Sequence, residues 1–335
     1  MDVTTVADDL VVMHEATVAH RFTGLAPGTE HRFLDVPVRT LDRPSGALLC
    51  RFATVNDVHF GEIAAGQIDD LVEGPVQRAA PGADPYPEVM NHAAVAEMAT
   101  IDPAMVIVKG DLSTNGTADE WAAFEGCYRT AFGDRLRVVR GNHDAYQHQN
   151  AYAGDQWIEL PGLVVALLDT VIPGESTGQI TTEQIEWLDD RIGGSDRPVL
   201  VMGHHQQWIA GPGGSRSDDY FGLHPDSSDA LDELCVRHDE VVGYAAGHTH
   251  RHRVRPMTRS AVPSIEVGCT KDFPGTWAEY RVLEGGVMQV VHRMSSKPAL
   301  EWSESCRHLY ADFGIDYEAY ALGSLADRCF VIPFR

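Results

Sequence analysis

The sequence predicts an α/β fold with a small β appendage at its N-terminus, on three observations. Between residues 48 and 246, apolar runs of strand character alternate with helix-like segments, which argues an α/β core. Five of these runs are followed by a cluster bearing His or Asp, at the carboxyl end where open α/β sheets place their ligands. After residue 255 the pattern turns to strands alone, which argues against one simple parallel sheet.

Each element has its own signal. Residues 1–45 lack helical periodicity; Thr17–Phe22 and His31–Val36 flank Pro27-Gly28, the mark of a hairpin turn in a β appendage packed on the main domain. Arg43-Pro44-Ser45-Gly46 forms a junction to the domain spanning 46–296. Leu48–Val55 is a buried-type strand, and the Gly- and Pro-punctuated stretch 61–87 reads as an insertion over the mouth of a site. A helix is expected from Pro87 to Thr100 with Val89, Ala93, Ala96 and Met98 on one side, followed by a strand over Met105–Val108. Thr117, with Glu120 three residues on, caps a helix to Phe132, and Leu136–Arg140 is the next strand. Leu163–Leu168, Arg197–Met202 and Val241–Ala246 are strands; Glu183–Ile192 and Ser227–Arg237 are helices. Residues 262–295 read as strands with turns at Pro274-Gly275 and Gly285-Gly286, and the aromatic-rich tail, 297–335, packs on the domain without a motif of its own.

Bulk properties narrow the function. A net charge of −23 over 335 residues repels phosphate backbones and anionic membranes, so neither bulk nucleic-acid binding nor membrane association is expected. A small anionic substrate remains open if a bound metal supplies local positive charge. The 6 cysteines have no CxxC spacing and read as reduced thiols, and the N-terminus lacks a signal-peptide pattern, so a cytoplasmic protein is expected.

The clusters, in order, are Asp57-x-His59, Gly110-Asp111, Gly141-Asn142-His143-Asp144, Gly203-His204-His205 and Gly247-His248-Thr249-His250. Each alone is an ordinary polar turn. Together, in this order and each at the end of an apolar strand, they resemble the calcineurin-like metallophosphoesterase superfamily over about residues 50–270. That resemblance implies a four-layer αββα sandwich with two mixed β-sheets and a two-metal site at the strand ends. It implies Asp57, His59 and His250 on the first metal, Asp111 bridging, and Asn142, His204 and His248 on the second. A ligand set of carboxylates, imidazoles and one amide, without thiolate, suits two divalent or trivalent ions such as Mn, Fe or Zn. Such a pair would activate water for in-line attack on phosphorus.

By the same resemblance His143 contacts the phosphate and protonates the leaving oxygen. Asp144 is expected to accept a hydrogen bond from the other ring nitrogen of His143, and Gly141 to let the strand turn tightly. His205 is set aside as a ligand, and its neighbour Gln206 departs from the Pro frequent in relatives. Asn56, where many relatives carry a small residue, is expected to matter little. Asn115, His252, Cys269, Lys271 and Asp272 lie near the block ends, and Phe273 and Trp277 could wall a base pocket, but core and turn roles are the simpler readings.

The wording Asp-x-His-Phe-Gly and Gly-Asp-Leu-Ser-Thr-Asn-Gly is most similar to bacterial cyclic-nucleotide and glycerophosphodiester phosphodiesterases. A small phosphodiester, with 3′,5′-cyclic AMP as the first substrate to test, is therefore expected as the partner; self-association is left open. A phosphomonoesterase of the purple acid type is the alternative, although Val58, Leu112, Ser113 and Thr114 provide no Tyr ligand for iron. A nuclease and a non-catalytic interaction module are weaker alternatives, given the charge and the intact blocks.

Overall fold

The computed structural model describes residues 1–68, 74–210 and 216–334. Residues 69–73 of the expected insertion therefore lie outside the described residues. Five short strands come first: β1 (Asp2–Val6), β2 (Leu10–Glu15), β3 (Val18–Thr23), β4 (Glu30–Phe33) and β5 (Val36–Arg39). The core begins with β6 (Leu48–Val55), α1 (Tyr86–Ala99), β7 (Val106–Lys109), α2 (Ala118–Phe132) and β8 (Leu136–Val139). Then come β9 (Gln156–Leu160), β10 (Leu163–Leu167), α3 (Thr182–Gly193), β11 (Val199–Met202), α4 (Pro225–Arg237) and β12 (Val241–Ala246). The chain closes through β13 (Arg253–Pro256), β14 (Pro263–Glu266), β15 (Thr276–Leu283), β16 (Gly286–Arg293), α5 (Lys297–Ser305), α6 (Tyr317–Leu322), α7 (Leu325–Arg328) and β17 (Phe330–Pro333).

Two six-stranded mixed sheets form the centre, in the orders β17-β16-β15-β6-β7-β8 and β13-β14-β12-β11-β10-β9. Strands β6, β7 and β8 run parallel, as do β10, β11, β12 and β14, so their carboxyl ends share one edge of each sheet. Alternation along the strands builds the layers. On β10, Leu163, Val165 and Leu167 join Phe52, Ile107 and Val139 between the sheets, while Val164 and Ala166 pack on Leu188 of α3 and Leu231 of α4. On the other flank Ala53, Val55, Val106 and Val108 pack on Met90 of α1 and Phe124 of α2. The outcome is the expected four-layer αββα sandwich. Thr117 and Thr181 each close a capping box at the start of α2 and α3.

Three local expectations need correction. No hairpin forms across Pro27-Gly28: β3 pairs with β2 and β4 with β5. The chain instead reverses at Leu34 and Asp35, whose φ of 47° and 64° suit a tight two-residue hairpin turn, inside the run read as one strand. On α1 the buried stripe is Met90, Asn91, Ala94 and Met98, rotated from the expected one. Asn91 fixes that rotation by donating to the Val58 carbonyl at 2.9 Å and accepting from the Tyr128 hydroxyl at 2.6 Å. The tail does more than lie on the surface, because β17 is the edge strand of the first sheet, paired with β16.

The N-terminal strands are tied to β15 and β16 by buried charge. Arg281 pairs with Asp8 at 2.6 Å and with Glu279 at 2.9 Å, and Glu279 also meets His292 at 2.9 Å.

Candidate active site

All five clusters meet where the carboxyl edges of the two sheets face each other. The strands deliver them through tight turns, and five of the residues adopt left-handed backbone: Asp57 (φ 52°), His59 (46°), Asp111 (52°), His248 (67°) and His250 (55°). Such a conformation costs about 1–3 kcal/mol per non-glycine residue and is tolerated where the surroundings over-determine it. Here it aims short polar side chains back over the sheet edge. Glycine precedes several of them for reasons of space. A Cβ on Gly110 would lie 2.4 Å from His204 Nδ1, and one on Gly141 would lie 2.2 Å from Asp111 Oδ1. Gly141 thus serves close approach rather than the turn expected of it.

The ligand-type atoms fall into overlapping groups, each within 4.8 Å: Asp57, His59 and His250; His59, Asp111 and His143; Asp57, Asp111 and His204; and His204, His205 and His248. Asp111 lies in the middle, with one carboxylate oxygen 3.4 Å from both His59 Nε2 and His204 Nε2. His204 Nδ1 donates to the Lys109 carbonyl at 2.9 Å, which turns Nε2 toward Asp111 and toward Asn142 Oδ1, 2.9 Å away. His248 Nε2 donates to the Phe221 carbonyl at 2.5 Å, leaving Nδ1 as its free donor atom. The Asn142 amide nitrogen donates to the Tyr146 hydroxyl at 2.5 Å, which orients Oδ1 inward.

These residues fit a metal centre. Both ring nitrogens of His59 and Nε2 of His205 are buried without a hydrogen-bond partner, an arrangement that is costly unless a cation completes it. Burial, with His143 next, drives the His59 pKa well below its usual value, and burial with His204 lowers that of His248 to about 3. Both rings are therefore neutral and carry the lone pairs that ligation needs. His204 behaves in the opposite way. Burial opposes its charge, but the Asp111 carboxylate outweighs burial and raises it to about 9, so a proton is stabilised where a cation would bind.

His143 sits at one end of the group, its ring 4.6 Å from that of His59 and 4.7 Å from that of Tyr146. Its Nδ1 meets the Thr114 carbonyl at 2.9 Å. The expected bond from Asp144 is absent: Asp144 accepts instead from the backbone N–H groups of Leu112 (3.0 Å), Ser113 (2.9 Å) and Gly141 (2.8 Å), and from the Ser113 hydroxyl (2.6 Å). It stitches the second cluster to the third, and the carbonyl of Thr114 takes the place at His143 that it was expected to fill.

Asn56 also matters more than expected. It donates to Asp57 at 2.5 Å and accepts from Lys109 Nζ at 2.8 Å, and burial lowers the Lys109 pKa to about 7. An apolar strand ending in Lys109 was the signal available for this buried cation. His205 bonds Thr170 at 2.8 Å and Gln206 meets Tyr220 at 3.1 Å, which accommodates the departure from Pro. His252, Phe273 and Trp277 are core, and Lys271 is buried between Glu62 and Asp272.

A cavity of about 460 Å³ opens beside the group, bounded by His248, Thr249 and His250, by Ile68 of the insertion and by tyrosines of the tail. From the sequence, the 61–87 insertion or the tail is expected to border the pocket and restrict substrate size, without the tyrosines being singled out; residues of both line the cavity.

Comparisons with known proteins bear on the family and the fold. A probable cyclic nucleotide phosphodiesterase of Synechococcus is 27% identical over 161 residues, covering 44% of this chain and 58% of that protein. A 3′,5′-cyclic adenosine monophosphate phosphodiesterase of Pseudomonas aeruginosa is 27% identical over 180 residues, covering 51% of this chain and 63% of the relative. The chain thus spans less than two thirds of the length of these relatives. In fold it is similar to a dimetal phosphatase from Danio rerio, with a TM-score of 0.56 at 15% identity over 74% of this chain and 97% of that one. The calcineurin-like phosphoesterase family model matches residues 50–252, the span that carries every cluster above, and the chain belongs to that family.

Proposed function

We propose that the chain hydrolyses a small phosphodiester, a 3′,5′-cyclic nucleotide being the first substrate to test, at a centre of two metal ions. The observation that carries this reading is the position of Asp111, shared by the group with His59 and the group with Asp57 and His204, as a bridging carboxylate requires. In this reading Asp57, His59 and His250 hold one ion with Asp111, and Asn142, His204 and His248 hold the other. When bound, the ions supply Lewis acidity toward the phosphoryl oxygens and an activated water. His204 is preferred over His205 because its Nε2 faces both Asp111 and Asn142, two members of the proposed ligand set.

The protein's own groups do the rest. Lys109 and Asn56 orient Asp57, and the Lys109 and Phe221 carbonyls select the tautomers of His204 and His248. The Thr114 carbonyl fixes His143 with Nε2 toward the site, placed to give a proton to the leaving oxygen. Asp144 keeps the loops around His143 in register, a positioning role.

Metal analysis with a panel of mono-, di- and cyclic phosphates tests the reading. The expected result is Mn²⁺-dependent cleavage of diesters that a chelator abolishes. A metal-loaded protein that cleaves neither mono- nor diesters sinks it; cleavage of monoesters alone would favour the phosphomonoesterase.

A further inference from the structure

The cavity beside the candidate centre joins the fifth cluster to parts of the chain outside all five. Its base is His248-Thr249-His250, and its walls come from Ile68, Phe221 and the tail residues Tyr310, Ile315, Tyr317 and Tyr320. The family match ends at residue 252, so the tail wall lies outside the matched span. Tyr320 donates its hydroxyl to the Thr249 carbonyl and Tyr317 donates to Asp272, both at 3.0 Å. With these polar ends engaged, the two tyrosines offer the cavity their rings.

The rings are set against one another. Tyr310 stands edge-on to Tyr317 at 5.1 Å, Tyr317 and Tyr320 are 6.2 Å apart and 22° from parallel, and the Arg251 guanidinium covers the Tyr320 ring at 5.0 Å. Apart from the two histidines, the described side chains lining the cavity carry no ionisable group that is charged near neutral pH. A charged or polyhydroxylated arm would lose water there without gaining partners, whereas a flat uncharged ring would bury against ring faces. His143 is not among the described lining residues.

We propose that this cavity binds an uncharged ring carried by the phosphate ester, which in an acyclic diester is on the arm that stays on phosphorus rather than on the leaving group and in a cyclic nucleotide is the base on the shared sugar, and that the tail tyrosines favour aryl- or base-like arms over small aliphatic ones. The assignment rests on the phosphodiesterase reading above and deepens it, since His143 serves the leaving oxygen and lies off the cavity.

Calorimetry on the Mn²⁺-loaded protein with phenylphosphonate and methylphosphonate reads the cavity without turnover. Wild type is expected to bind phenylphosphonate about tenfold or more tighter, the scale of burying one ring. Ile315→Asp places a carboxylate on a rim position that is 42% exposed, where folding is insensitive, and is expected to bring the ratio near one. Tyr320→Ala should do the same, while Tyr320→Phe, which keeps the ring, should preserve the preference. Equal affinities in wild type, no binding of either probe, or a preference unchanged in both Ile315→Asp and Tyr320→Ala overturns the proposal. The kcat/KM ratio for phenyl and methyl p-nitrophenyl phosphates, which share a leaving group, should move with the phosphonate ratio. A ratio that stays put while phosphonate affinities shift refutes the retained-arm assignment. A phosphonate preference with no turnover of either diester leaves the cavity standing and removes the phosphodiesterase reading.

Discussion

The strand-end clusters and the tyrosine wall meet at one cavity, where the fifth cluster forms the base, and are built in opposite ways. The clusters are polar and mostly buried, five of their residues are held in left-handed backbone, and His143, His204 and His248 each have one ring nitrogen tied to a backbone carbonyl. The wall is aromatic, carries its polar groups outward and is assembled from residues 68, 221 and 310–320. The difference separates two kinds of demand. Ligands and proton donors must sit within tenths of an ångström, so they are placed by short turns on rigid strands. A ring-binding surface needs area and shape, which side chains from remote segments can supply.

His143→Ala tests the polar side most severely. It is expected to lower kcat by about 10²–10⁴-fold while metal content stays near two per chain, since the residue is assigned a proton and not an ion. Metal loss in this variant, seen by elemental analysis, would reassign His143 to the ligand set.

Asp144→Ala comes next, with its main effect on stability. Removing the carboxylate strands the amides of Leu112, Ser113 and Gly141 in a buried site, and a loss of about 3–5 kcal/mol is expected in urea unfolding. A fully stable variant with a shifted pH–rate profile would instead mean that Asp144 acts on His143.

A smaller effect comes from the buried charges under the N-terminal strands, which resemble the site in polarity but touch no ligand group. Burial opposes ionisation of Glu279, yet His292 and Arg281 outweigh it and lower its pKa from 4.5 to about 2. A depressed carboxylate contributes stability that is fully present above the unfolded value and is lost as pH falls through the folded one. The expected slope therefore lies between about pH 4.5 and 2 and amounts to about 3 kcal/mol. Glu279→Gln should flatten it in a pH series of unfolding curves and leave kcat unchanged; an unaltered slope would place acid sensitivity elsewhere.

The tyrosine wall gives the smallest shift, about tenfold in a ratio of affinities. Its size relative to His143→Ala measures how far chemistry and selectivity are carried by different parts of the chain.

Much of this was legible in the sequence because its signals are local. Near-continuous apolar runs locate β6, β7, β10, β11 and β12, capping residues start α2 and α3, and each cluster follows its strand within two residues. The four-layer arrangement and the candidate ligands came from the order of those clusters. What stayed hidden depends on contacts between distant residues. Nothing adjacent to Asp144 reveals that it serves the amides of Leu112 and Ser113, because those partners are set by the parallel pairing of β7 with β8. Asn56 looked unimportant until Lys109, on the neighbouring strand, was seen to lie against it. The hairpin across Pro27-Gly28 failed because turn residues mark where a chain can reverse, while pairing is decided by which strand offers a matching edge. The sequence by itself determined which residues are candidates for phosphoester chemistry and that each follows the carboxyl end of a strand. Only the tertiary structure decided the hydrogen bonds that orient them and the apolar wall opposite, since both arise from side chains meeting across layers that no local pattern records.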